Sequence, residues 1–312
     1  VKAAMDAHAA AIDKIADYAE TGATAPTVDY YTAAGVTGVT SGKVDAVDSA
    51  INAQAGADGI VGNQDDRGAA DTTAKVQAIV DAYQAILSEA NDTNANAGDN
   101  VADATPTVDP TAAQYAAIGA NIGQAATDAD NLALLNDIVG ASQATDVDTI
   151  AKLNELARIA NAIQATAAGQ TLTPALTPAD FAKAGFAGVT AQNLAAVNAA
   201  IAAKNDNGSE TDTLAKVQTA VDAGISAHAA EQAAQAAQAA ALNVITDYAE
   251  TGVTAPTATD YTAAGVTGVN ANNLAAINSA INAQAGADGI VGNADDRGAA
   301  DTTAKVQAIV DA

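Results

Sequence analysis

The stretch YTAAGVTGVNANNLAAINSAI, residues 261–281, decides how the chain is built, because the same pattern occurs four times. It stands at residues 31–51, in looser form at 115–139, and again at 181–201. In each copy an aromatic residue (Tyr31, Tyr115, Phe181, Tyr261) is followed four positions later by a glycine (Gly35, Gly119, Gly185, Gly265). An apolar pair and a run with helical spacing, such as Leu194, Val197 and Ile201, complete the unit.

Outward from this stretch the similarity spreads. Residues 15–82 and 245–312 align without a gap and differ at 14 of 68 positions. Self-similarity at a fixed period marks an array of structural units, and it takes precedence over a count of domains from length alone. Four helical units fit the 312 residues: 1–82, a divergent 83–160, a short-looped 161–232, and 233–312.

The segments between the copies read as helices. Residues 1–20 carry Met5, Ile12, Ile15 and Tyr18 in Ala-rich surroundings and close at Gly22. Pro26 and Pro256 break the chain before a short helix, and Gly35 suits a left-handed cap at its end. Thr40, Thr190 and Asn270 are candidate N-caps of the next helix. Val76, Ile79, Val80, Tyr83, Ile86 and Leu87 then fall at i, i+3, i+4, i+7, i+10 and i+11, a helical stripe with no breaker between Ala74 and Ala90. Two more helices are expected near 128–139 and 147–168, and residues 91–110 read as irregular.

From residue 211 to 250 the helical pattern passes through EQAAQAAQAAA without a stop, which at 1.5 Å per residue predicts a helix of about 60 Å with Gly224 as its weak point. The fold expected is all-α: tandem three-helix repeats joined by shared long helices into an elongated rod or superhelix.

Composition sets the thickness of the core. Apolar residues make up 49% of the chain, but about three in ten residues are Ala and only 3% are aromatic. Ala buries little area, so each unit rests on a thin set of Val, Ile, Leu and Tyr and gains from its neighbours. Tyr18, Tyr31, Tyr83, Tyr248 and Tyr261 recur at equivalent or periodic places and read as the large anchors.

The net charge of −25, from 12 basic and 37 acidic residues, opposes binding to nucleic acid and to anionic membrane surfaces. Cysteine is absent, which excludes thiolate metal sites, disulfides and Cys nucleophiles. Without a run of 18 apolar residues, no membrane insertion is expected. Neither a leader nor an anchor is visible, and the chain reads as a segment of a longer array.

One loop carries chemical interest. Asp58, Asn63, Asp65, Asp66 and Asp71 lie among glycines, and Asp288, Asn293, Asp295, Asp296 and Asp301 repeat them. Oxygen donors on a sharply turning backbone suit calcium, the one cofactor expected. Against a calcium loop begun at Asn63, however, the fifth position is Arg67 and the twelfth is Ala74. The competing reading has Asp71 capping a helix and Arg67 pairing with Asp65 or Asp66. The third unit lacks this loop, so folding of the module does not depend on it. His8 and His228 have no nucleophile or second ligand nearby in sequence, carboxylates sit in polar stretches, and GVTGV lacks the spacing and basic residue of a phosphate loop. No enzyme is expected.

The GVTGV units, the DGIVGN and DDRGAADT loop and TTAKVQAIVDAYQAIL together resemble the repeat regions of the large, acidic, Cys-free surface adhesins and biofilm proteins of Gram-negative bacteria. That resemblance implies an extracellular or cell-surface stalk that extends a binding domain, with calcium as a stiffener and neighbouring repeats of the chain as partners. A fainter likeness is to three-helix surface modules of Gram-positive bacteria, whose albumin-binding surface has no residue-by-residue match here, so serum-protein binding is not implied. The alternative function is a repeated protein- or glycan-binding module in which the repeated face recognises its partner.

Overall fold

The computed structural model describes residues 1–90, 109–170, 173–204 and 208–312. Every regular element among them is a helix. In chain order these are α1 (Lys2–Thr21), α2 (Val28–Ala33), α3 (Val44–Asn52), α4 (Thr73–Ala90), α5 (Ala112–Ala117), α6 (Ala129–Gly140), α7 (Ile150–Ala167), α8 (Pro178–Lys183), α9 (Leu194–Ala202), α10 (Leu214–Thr251), α11 (Ala258–Ala263), α12 (Leu274–Asn282) and α13 (Thr303–Asp311). Short 3₁₀ turns at Gln64–Ala69, Gly123–Ala126, Ala144–Asp146 and Ala294–Ala299 join some of them. The irregular stretch expected at 91–110 lies almost wholly outside the described residues.

The four aromatic-to-glycine copies fold alike, and the reason is a single cap. Gly35, Gly119, Gly185 and Gly265 all take positive φ, between 74° and 88°, where a Cβ would be strained. The glycine N–H reaches back three residues, and the N–H that follows it reaches the carbonyl of the aromatic residue itself: Val36 to Tyr31 at 2.9 Å, Ala120 to Tyr115 at 3.0 Å, Phe186 to Phe181 at 2.9 Å, Val266 to Tyr261 at 2.8 Å. This is the six-to-one and five-to-two pattern of a Schellman cap. It closes each short helix on its aromatic residue, and all four rings are fully buried.

Two details differ from the sequence reading. Thr40 does not cap α3 directly: its carbonyl accepts from Lys43 and Val44, so one turn precedes the helix. Tyr18 and Tyr248 are only partly buried and pack at the margin of the core.

Packing divides the chain into two compact units, Val1–Ile225 and Ser226–Ala312. The first holds three of the copies around one continuous core that includes Tyr31, Tyr83, Tyr115 and Phe181. The second is built on a much smaller core of Ile245, Tyr261, Ile277, Ile281 and Val306, filled out by alanines. Helix α10 has 38 residues and is unbroken at Gly224. That glycine is a contact point: a Cβ there would stand 2.4 Å from the Val197 Cα of α9, so its absence lets the two helices touch at the backbone. Residues 229–240 of the same helix are exposed throughout. No helix among the described residues is long and apolar enough to cross a membrane.

Candidate functional site

The Gly-Asp loop folds as a knot tied by its own backbone. Asp66 is fully buried. Its carboxylate accepts from the N–H groups of Gly56 at 2.6 Å, Gly62 at 2.5 Å and Asn63 at 2.9 Å. Burial works against its charge, but these three donors outweigh it and hold the carboxyl below its ordinary range. Asp65 accepts from the Asp58 N–H at 3.0 Å, and Asp58 accepts from the Ile60 N–H at 2.8 Å and from the Asn63 amide at 3.0 Å. Asn63 caps the 3₁₀ turn through the Asp65 N–H. The second loop repeats this with Asp288, Asn293, Asp295 and Asp296, and backbone donors led by Asn293 again hold Asp296 low.

Gly56 and Gly286 are obligatory here, since a Cβ would lie 2.5 Å from the backbone carbon of Asp65 or Asp295.

Four of the five expected ligands in each loop are thus brought together, and the fifth is not. Asp71 and Asp301 are held instead by Lys75 and Lys305, at 2.8 and 2.7 Å. Asp71 is not the helix cap either. Thr72 and Thr302 take that role, each accepting the N–H three residues on at 3.3 Å. Arg67 does not pair with Asp65 or Asp66, whose oxygens already serve backbone donors. It reaches across to Asp13, Asp17 and Glu20 on α1, as Arg297 reaches Asp247 and Glu250 on α10. The loop therefore clasps the first helix of its own repeat through solvent-screened pairs.

Among the described residues no three His, Cys, Asp or Glu side chains form a metal-ion cluster. The knot's carboxylates accept backbone and amide N–H groups, and these bonds hold the loop closed.

His8 faces the Thr73 hydroxyl at 3.1 Å, and Gln238, its counterpart in the fourth copy, donates to the Ala264 carbonyl at 3.3 Å. Both side chains are exposed and sit at the same seat against the end of the short helix.

The sequence reading missed a groove of about 740 Å³ lined by residues of the second and third copies and floored by α7. Asn154, Arg158 and Asn161 line it at helical spacing, facing Asn121, Gln124 and Asn131. Asn161 accepts from the Asn131 amide at 2.7 Å and donates to the Ile122 carbonyl at 2.9 Å, while Asn154 accepts from the Asn121 N–H at 2.7 Å. Arg158 is held by Glu155 at 2.8 Å and by Asp180. Hydrogen bonds from Arg158 and Lys183 keep the Glu155 carboxyl down at about 2. Among the described lining residues amides predominate, with Asp128 and the paired Arg158 as the charged groups. The signal was the i, i+4, i+7 spacing of Asn154, Arg158 and Asn161, which sets one polar stripe along α7.

Comparison with protein-family models, with curated proteins and with solved structures found no match.

Proposed function

We propose that this chain is a structural extender: a segment of helical repeats that sets distance in an exported, cell-surface bacterial adhesin, and carries out no reaction itself. The observation that carries this reading is α10. Its 38 residues include a stretch, 229–240, that is exposed throughout and meets the rest of its repeat through the Gln238 amide, which donates to the Ala264 carbonyl at 3.3 Å, so that helix propensity carries most of it. A bare helix of Ala and Gln contributes length and little else. The loops support the same reading, because their charged groups are consumed in fastening each loop to its own repeat.

Small-angle scattering of residues 1–312 tests it. A compact chain of this length has a radius of gyration of about 20 Å. An extender in the form of a rod or superhelix gives about 30 Å or more, and a value near 20 Å refutes it. Melting in EDTA and in millimolar calcium tests the metal clip expected from the sequence. A rise in midpoint that Asp65→Ala and Asp295→Ala abolish would place calcium in the loops.

The amide-lined groove favours a second reading, a glycan-binding module. Chemical-shift changes at Asn154 and Asn161 on titration with neutral oligosaccharides would support it, and their absence would count against it.

A further inference from the structure

The first and fourth copies have nearly the same sequence but not the same exposure, and the differences gather on one face. Ala46 is buried and Ala276 exposed; Ser49 is partly buried and Ser279 exposed; Ala53 is partly buried and Ala283 exposed. Ile79 and Val80 are buried, whereas Ile309 and Val310 are only partly so. Outside this face the loops and caps of the two copies match almost residue for residue.

What covers the face in the first copy is visible. The Ile150 N–H at the start of α7 donates to the Ser49 hydroxyl at 2.9 Å. The Gln54 amide donates to the Ala117 carbonyl at the end of α5 at 3.2 Å. Gly119 lies so close to the Ala53 carbonyl that a Cβ would stand 2.4 Å from it. In the fourth copy Ser279, Ala283 and Gln284 keep the same residue types. Gln284 makes the internal bond to Ala280 at 2.9 Å, as Gln54 does to Ala50, but has no counterpart of the bond to Ala117.

We infer that the α12–α13 face of the fourth copy is a docking seat for a helical repeat of the class formed by residues 109–167. The occupant brings a free helix-start N–H for Ser279, a short-helix carbonyl for Gln284 and a glycine against Ala283. Its identity follows from the interface the first copy already makes with such a repeat. The inference stands on that comparison and not on the extender reading, so a compact scattering profile leaves it intact.

The test extends the full chain, placing residues 83–225 of the same sequence after Ala312 so that α13 continues as α4 does. Hydrogen exchange at Ile309 and Val310 should slow to the rates of Ile79 and Val80. The chain has no cysteine, so Ala276→Cys adds a unique thiol; its maleimide labelling should slow at least about tenfold on extension, as expected when a site must open to react. Unchanged exchange and labelling would overturn the inference. So would an extension that stays unfolded, because the same residues fold against the first copy. Protection that rises with concentration in the unextended chain would make the face a contact between copies, and would overturn it as well.

Discussion

In three of the four repeats the aromatic residue is a Tyr tied to a polar partner on the following helix, and the variation of this pair among the copies is informative. Tyr115 donates to Asn136 at 3.0 Å and Tyr261 to Asn278 at 2.7 Å. In the third copy the aromatic residue is Phe181, and the Asn198 side-chain oxygen at the same place is buried without a partner. An orphaned buried acceptor costs about 1–3 kcal/mol. Phe181→Tyr should therefore stabilise the first unit by about 1 kcal/mol in urea unfolding, and Tyr261→Phe should weaken the second by a similar amount. A destabilising Phe181→Tyr would show that the ring pocket is closed to a hydroxyl. In the first copy the partner is Asp48, which accepts from Tyr31 at 2.5 Å. Burial raises its carboxyl from 3.8 to about 6, against the lowering effect of the Tyr31 hydrogen bond and with help from Asp45. The folded chain thus keeps a proton that the unfolded chain loses at 3.8. The corresponding stability is full below pH 3.8 and is lost as pH rises through about 6. Asp48→Asn removes this dependence, because an amide is neutral throughout and can donate to a carbonyl as Asn278 does to Pro256 at 2.9 Å. It should raise stability at pH 7 by about 1–2 kcal/mol and flatten the profile between pH 4 and 7. A slope unchanged in the variant would assign the titration to another group.

At the scale of elements, helix propensity and packing oppose each other at Gly224. Propensity favours Ala there by about 1 kcal/mol, and in the sequence the glycine looks like a flaw in α10. The close contact reverses that judgement: a Cβ would meet the Val197 N at 2.7 Å and the Ala196 carbonyl oxygen at 2.8 Å, both backbone atoms that no rotamer change can move. Overpacking costs about 1–3 kcal/mol. Gly224→Ala should thus lower the stability of the first unit by about 1–2 kcal/mol in urea unfolding, while raising the helicity of an isolated α10 peptide. A more stable protein would mean that the helices separate without cost. The helices themselves were legible, since α1, α4, α6 and α7 follow apolar stripes and glycine stops written in the chain. The partners of Arg67 and the reason for Gly224 were not, because both depend on which helix lies opposite. Local sequence named the knot's residues in the loop but not its wiring: Asp66 turned inward to three N–H groups, where spacing alone suggested an outward oxygen cage.

For the molecule as a whole, the periodicity that announced four repeats carried no information on how cooperatively they stand. The first unit holds three copies on one continuous core, whereas four of the ten buried core residues of the second are alanines. Buried apolar area contributes about 25 cal/mol per Å², and Ala offers little of it, so the second unit has the weaker store of burial. Residues 229–240 of α10 are exposed throughout and belong to neither core, so they bury little apolar area through which stability could pass. Calorimetry should accordingly resolve two transitions, the smaller at lower temperature and assigned to Ser226–Ala312 by its loss of exchange protection. Ala233→Pro makes the argument sharper. Proline inside a helix costs about 3 kcal/mol by removing one hydrogen bond and crowding the preceding turn. Placed in the exposed stretch, it should break α10 locally and reduce helicity, yet move neither transition by more than about 1 °C, because neither core buries those residues. If the variant lowers both transitions together, or if the unaltered chain melts in a single two-state step, the exposed helix transmits stability and the two cores act as one.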